Sequence, residues 1–90
     1  MKYAFLLNPA SGARRDPERL ARLVEGFCRE RRVDGVLWRT EGPGHGAVLA
    51  GKAVAEGYDR VVAIGGDGTI HEIARALIGS PAALGIIPRG

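Results

Sequence analysis

The chain has 90 residues, the size of one small domain, and 46% of them are hydrophobic, a fraction typical of globular proteins. Its net charge is +3, and no block of Lys and Arg is interleaved with aromatic residues, which argues against a nucleic-acid partner. The single cysteine, Cys28, excludes an internal disulfide and any metal site built from several cysteines. No run approaches the roughly 18 consecutive apolar residues of a membrane span.

The first third of the chain predicts a strand, a loop and a helix. Residues 2–7 are mostly apolar and predict a buried strand, which the small and polar residues 8–12 end. Asp16 and Pro17 form a typical helix start, with Asp16 at the N-cap. The apolar stripe of this helix consists of Leu20, Leu23, Val24, Phe27 and Cys28. The stripe predicts that the helix packs on a sheet, with Cys28 in the core.

Residues 33–39 predict a second strand, interrupted at residues 34–35 by Asp-Gly. Side chains alternate along a strand, so we expect Val36 and Trp38 on one face and Leu37 on the other. The rest of the chain predicts a glycine-rich loop, a helix, a buried strand, a helix and a buried strand. Their ranges are 40–46, 45–56, 60–64, 69–78 and 84–87.

A glycine turn joins the third strand to the third helix. Residues 65–68 contain three glycines and Asp67, and Thr69 with Glu72 three positions later predicts a capping box. The apolar face of the helix consists of Ile70, Ile73, Ala74, Leu77 and Ile78. The N–H groups of such a turn and the positive end of the helix dipole can bind a phosphate. The alternative is an ordinary αβ loop, because Asp-Gly is a common turn pair.

The order βαβαβαβ predicts a three-layer α/β/α fold with a parallel sheet and helices on both faces. Ligands of open parallel sheets bind at the carboxyl ends of the strands. Residues 8–12, 40–46, 65–69 and 88–90 follow the four predicted strands, and all are rich in turn-forming or polar residues. The pattern favours a nucleotide site at this edge, although βα loops are rich in turn residues in every α/β protein.

Several segments resemble, in order and spacing, the diacylglycerol kinase catalytic domain. That superfamily includes bacterial lipid kinases, sphingosine kinases and ceramide kinases. The segments are residues 8–12 (Asn-Pro-Ala-Ser-Gly), Thr40, Gly44-His45, residues 65–69 (Gly-Gly-Asp-Gly-Thr) and residues 84–88 (Leu-Gly-Ile-Ile-Pro). The Gly-Gly-Asp-Gly run is shared with NAD kinases, whereas the first and last segments favour lipid kinases. The resemblance implies a fold like the N-terminal domain of NAD and diacylglycerol kinases.

The resemblance also implies ATP-dependent phosphoryl transfer to a lipid hydroxyl, with Mg²⁺ as cofactor. It assigns nucleotide contacts to Asn8, Pro9, Ala10, Ser11, Gly12, Thr40, Gly65, Gly66, Asp67, Gly68, Thr69, Ile70, His71 and Glu72. Asp67 would lie near the phosphates and reach the metal only through water. Two positions depart from the family pattern: His71 stands where Asn is frequent, and Gly46 where Ala is usual.

Members of the family are several times longer and carry a β-rich second domain that supplies the catalytic base. We therefore expect residues 1–90 to be the N-terminal, nucleotide-binding part of a two-domain kinase, inactive alone. Its lipid substrate would lie at a membrane surface, which implies a cytoplasmic protein with transient membrane association. An exposed sheet edge could also support a homo-oligomer. The alternatives are an NAD-kinase-like enzyme for a soluble substrate and a non-catalytic nucleotide-binding module.

Overall fold

The computed structural model describes residues 1–10 and 17–88, so the predicted N-cap Asp16 and the predicted site residues Ser11 and Gly12 lie outside the described residues. The strands are β1 (Lys2–Leu7), β2 (Asp34–Arg39), β3 (Arg60–Gly65) and β4 (Ala83–Pro88). The helices are α1 (Pro17–Arg31), α2 (His45–Ala55) and α3 (Asp67–Ala76). They alternate along the chain in the predicted order.

The strands form one parallel sheet in the order β2-β1-β3-β4. In its register Leu6 lies between Trp38 of β2 and Ala63 of β3, and Ala63 lies beside Ile86 of β4. Because all strands run in one direction, the loops that follow β1, β2 and β3 leave the sheet at the same edge. The predicted parallel α/β architecture is therefore confirmed.

Helices cover both faces of the sheet. On one face α2 and α3 pack on β1 and β3, and the buried cluster consists of Ala4, Leu6, Leu49, Ala50, Ala53, Val61, Ala63, Ile73 and Leu77. On the other face α1 packs over a cluster of Phe5, Leu7, Val24, Val62 and Ile64. Val36 and Trp38 join the first cluster and Leu37 joins the second, as the alternation in β2 predicted.

The apolar stripe of α1 is narrower than predicted. Val24 is buried, and Leu20 and Cys28 pack at the edge of the core, where burial raises the pKa of the Cys28 thiol. Leu23, in contrast, is 60% exposed, and Phe27 contacts the rings of Tyr3 and Phe5 only from the side. Residues four apart stay on one helix face, so the stripe that meets the sheet is Leu20, Val24 and Cys28, and Leu23 faces away.

Two predictions about β2 and β4 were wrong. β2 is not interrupted at residues 34–35, because it begins at Asp34 and Gly35 lets the Cys28 side chain of α1 approach the sheet. β4 is a strand but is not buried, because it lies at the edge of the sheet and Ile86 is 52% exposed. The predicted self-association through such an edge stays a prediction.

The third helix ends at Ala76, two residues earlier than predicted. Two isoleucines near this end differ in burial and can therefore be compared. Ile73 of α3 is fully buried in the core, whereas Ile78 lies beyond the helix end and is 80% exposed. We expect Ile73→Ala to lower the free energy of unfolding by about 2–5 kcal/mol through lost burial and a cavity. Ile78→Ala should change it by less than about 0.5 kcal/mol. Urea unfolding monitored by circular dichroism measures both, and equal losses would contradict this core.

Candidate functional site

Three loops meet in one open cleft at the carboxyl edge of the sheet. The loops follow β1, β2 and β3, and the cleft has a volume of about 420 Å³. Its lining residues are Asn8, Ala10, Thr40, Gly42, Pro43, Gly68, Thr69 and Glu72. Segments that are 25 or more positions apart in sequence are thus brought together, as the topology of a parallel sheet requires.

Asn8 joins the loop after β1 to the start of α3. Its Nδ2 donates a hydrogen bond to Oγ1 of Thr69 over 2.8 Å, and its Oδ1 accepts one from the Ala10 N–H over 3.0 Å. The Asn8 N–H itself donates to the carbonyl of Ile64 at 3.0 Å. The side chain of Asn8 therefore fixes the geometry of the cleft through the protein itself.

The turn between β3 and α3 is tighter than the sequence predicted. α3 begins at Asp67, after an extended Gly66, and no side chain caps it. The predicted capping box is therefore wrong: the helix starts two residues before Thr69, whose hydroxyl accepts a hydrogen bond from Asn8 instead. A Cβ on Gly65 would come within 2.8 Å of Thr69 Cβ, so only glycine permits this close approach.

The first turn of α3 has backbone donors that the helix itself does not use. The backbone ladder of α3 starts with the Ile70 N–H donating to the Gly66 carbonyl at 3.0 Å. The N–H groups of residues 67–69 therefore have no acceptor inside the helix. Together with the helix dipole they favour an anion beside Gly68. Asp67 is exposed in the same turn, so its carboxylate would lie next to that anion.

The loop after β2 forms the opposite wall. Thr40 is 7% exposed, and its N–H donates to the Leu7 carbonyl at 2.8 Å, which fixes the start of the loop to β1. Glu72 on α3 accepts a hydrogen bond from the Gly44 N–H over 2.7 Å. The resemblance assigned a nucleotide contact to Thr40 but none to Gly42, Pro43 or Gly44. Gly44 has φ of 86°, a left-handed conformation that favours glycine, and the Gly-Pro-Gly run was the signal for it.

Six of the predicted contact residues that the structure describes do not line the cleft, namely Pro9, Gly65, Gly66, Asp67, Ile70 and His71. The Ile70 side chain packs against the core beneath α2 and α3, so only its backbone faces the turn. His71 is exposed and lines an adjoining groove of about 570 Å³ with Arg75 and Ala47, and this groove shares Gly68 and Glu72 with the cleft. A larger groove of about 910 Å³ runs along the edge of β2 between α1 and α2, and the glycine turn does not line it.

Neither a protein-built metal cluster nor a transmembrane helix is present in the part of the chain that the structure describes. Residues 1–10 and 17–88 contain no group of three or more His, Cys, Asp or Glu side chains that could hold a metal. Their helices are also too short or too polar to cross a bilayer.

Comparison with known proteins identifies the family. The sequence profile of the "Diacylglycerol kinase catalytic domain" matches residues 2–90. The chain is 36% identical over 78 residues to a Bacillus subtilis (strain 168) protein named "Putative lipid kinase YtlR", covering 83% of this chain and 25% of that protein. It is 32% identical over 92 residues to a Staphylococcus aureus "Diacylglycerol kinase", covering 96% and 28%.

The fold gives the same result. The "Crystal structure of a putative diacylglycerol kinase from Bacillus anthracis str. Sterne" superimposes with a TM-score of 0.84 at 25% identity, over 99% of this chain and 31% of that chain. The chain thus spans about a quarter of the length of the curated relatives that it matches. The resemblance drawn from the motifs is confirmed, and the chain belongs to the diacylglycerol kinase catalytic domain family.

Proposed function

We propose that the cleft binds ATP and that the chain is the nucleotide-binding part of a lipid kinase. The observation that carries the proposal is the convergence of Asn8, Thr40 and the glycine turn in one cleft at the carboxyl edge of the sheet. Family membership supports phosphoryl transfer, and the relatives' names, with "lipid kinase" and "Diacylglycerol kinase" among them, favour a lipid acceptor over a soluble one.

The phosphates of the nucleotide would lie against the turn at residues 65–69. Gly65 keeps β3 close to α3, and Gly68 lines the cleft without a side chain that would keep a phosphate away. The N–H groups of the first helical turn supply donors there. Phosphoryl transfer depends mainly on such positioning and charge stabilisation, which backbone donors provide.

The donor set fits Mg²⁺ held mainly by phosphates and water. Mg²⁺ typically takes one or two carboxylates, and Asp67 is an exposed carboxylate beside the turn. The bound ion would neutralise charge on the phosphates. Asp67 would orient its water shell. Glu72, the carboxylate among the lining residues of the cleft, already accepts the Gly44 N–H through Oε1.

In the reaction proposed for the longer protein, the lipid hydroxyl oxygen bonds to the γ-phosphorus, and the bond from that phosphorus to the bridging oxygen breaks. ADP leaves with the electron pair, and the hydroxyl proton passes to a base. We place this base, together with most of the lipid site, in a second domain outside residues 1–90. The acceptor would be reached at a membrane surface, so we propose a cytoplasmic protein that associates with membranes transiently.

Removing the charge of Asp67 should separate binding of Mg²⁺-ATP from binding of ATP alone. We expect Asp67→Asn to weaken Mg²⁺-ATP binding about tenfold, or ~1.4 kcal/mol. In EDTA the same variant should bind ATP at least as well as the parent chain, because the carboxylate repels unscreened phosphates. Calorimetry measures both, with Asp34→Asn at the far end of β2 as the control. Equal Mg²⁺-ATP affinities, or no binding by the folded parent chain, would contradict the proposal.

A second pair of variants tests the close approach at the turn. Gly65→Ala would bring a Cβ within 2.8 Å of Thr69 Cβ, so we expect the first turn of α3 to shift and stability to fall by about 1–3 kcal/mol. ATP affinity should fall with it, by about tenfold. Gly51→Ala on α2, where nothing lies within 4 Å, should instead stabilise the chain by about 0.5–1 kcal/mol and leave affinity unchanged. Thermal unfolding and calorimetry measure both variants. Unaltered ATP binding by Gly65→Ala would count against this turn as the phosphate site.

A further inference from the structure

Glu72 makes an unusual contact between two helices. Its side chain leaves α3, and its Oε1 accepts the Gly44 N–H at the N-terminal end of α2 over 2.7 Å. Gly44 is the N-cap residue of α2 and has no side chain with which to cap the helix. A carboxylate from a neighbouring helix therefore accepts the backbone N–H of the N-cap residue. This carboxylate also lies at the positive end of the α2 dipole.

The first turn of α2 leaves room for this contact. Gly46 is buried, and a Cβ on it would overlap the Oε2 atom of Glu72 and lie 3.2 Å from Cγ1 of Ile73. The absence of a side chain at this position allows α2 to approach α3 closely enough for the carboxylate to reach Gly44. Gly46, which departs from the alanine usual in the family, is thus matched to the position of Glu72.

The contact also joins the two sides of the cleft. Glu72 lies on one side of the cleft, and Gly42 and Pro43 lie on the other, two residues or fewer from the amide that it holds. The start of the same loop is fixed independently, by the Thr40 N–H and the Leu7 carbonyl. Between these two hydrogen bonds the loop has only three residues, 41–43. Within it the Glu41 N–H donates to Nδ1 of His45 at 2.9 Å and the His45 N–H donates to the Gly42 carbonyl at 3.2 Å, so Glu72 is the contact that ties this loop to α3.

We propose that Glu72 is a positioning residue for the nucleotide: it holds the loop of residues 40–44 as a wall of the cleft by accepting the Gly44 N–H. The identity of the ligand in this proposal rests on the proposed function, whereas the hydrogen bond from Gly44 to Glu72 does not. The role requires a hydrogen-bond acceptor at position 72 and does not require its negative charge. This distinguishes it from a direct contact of the carboxylate with a ribose, a metal or a phosphate.

The test compares Glu72→Gln with Glu72→Ala. The glutamine oxygen can still accept the Gly44 N–H, whereas alanine cannot. We expect Glu72→Ala to speed hydrogen exchange of the Gly44 amide about tenfold in the ligand-free chain and to weaken Mg²⁺-ATP binding about tenfold. Glu72→Gln should stay within about threefold of the parent chain in both measurements. Glu30→Ala, which removes an exposed carboxylate from α1, is the control and should change neither.

A third variant displaces the same carboxylate without removing it. Gly46→Ala should accelerate Gly44 exchange and weaken ATP binding in parallel, because the new methyl group occupies the space of Oε2. Amide exchange is read by NMR on the folded chain, and affinity by calorimetry.

The outcomes separate this proposal from the function on which it rests. Faster Gly44 exchange in Glu72→Ala together with unchanged ATP affinity would overturn the positioning role while leaving the ATP site intact. A Glu72→Gln variant as weak as Glu72→Ala would also overturn it, since the charge and not the acceptor would then matter. Absence of ATP binding by the parent chain would overturn the proposed function and, with it, this role. Unchanged exchange of the Gly44 amide in Glu72→Ala would show that Glu72 does not hold this loop, whichever ligand binds.

Discussion

The cleft depends on the close contact between the end of β3 and the first turn of α3. Gly65 permits the approach, and the bond from Asn8 to Thr69 ties the turn to the neighbouring strand β1. The hydrogen bond is weak alone, because a single one contributes only about 0.5–1.5 kcal/mol net to stability. Together the two contacts fix the loops after β1 and β3, while the Thr40 N–H bond to the Leu7 carbonyl fixes the start of the loop after β2. Backbone N–H groups are thus available to a ligand in a defined arrangement.

Much of the fold could be predicted from the sequence because its signals are local and agree with one another. Apolar runs bounded by glycine and proline marked the strands, and their alternation with helices required a parallel sheet. Burial at the edges of the fold could not be predicted in the same way. Leu23 and Ile86 are as apolar as their buried neighbours, and their exposure depends on which surfaces the sheet leaves uncovered. That information lies in the tertiary arrangement.

The candidate site was partly predictable for the same reason. The motifs and the strand order indicated Asn8, Thr40 and the glycine turn, and the structure brings them together. Thr69 and Glu72 do not form a capping box but accept hydrogen bonds from Asn8 and Gly44. The sequence could not show this, because these partners are 61 and 28 positions away. Ile70 was assigned a nucleotide contact by its position, and the sequence could not show that its side chain packs against the core.

The central claim is that the loops after β1, β2 and β3 form one nucleotide site. Mapping amide shifts of the ¹⁵N-labelled chain during titration with Mg²⁺-ATP tests this claim most directly. We expect the largest changes on residues 65–69 and 40–44 and on the side-chain amide of Asn8, with little change along the edge of β2. Changes concentrated in the groove between α1 and α2, or no changes in a folded chain, would contradict it.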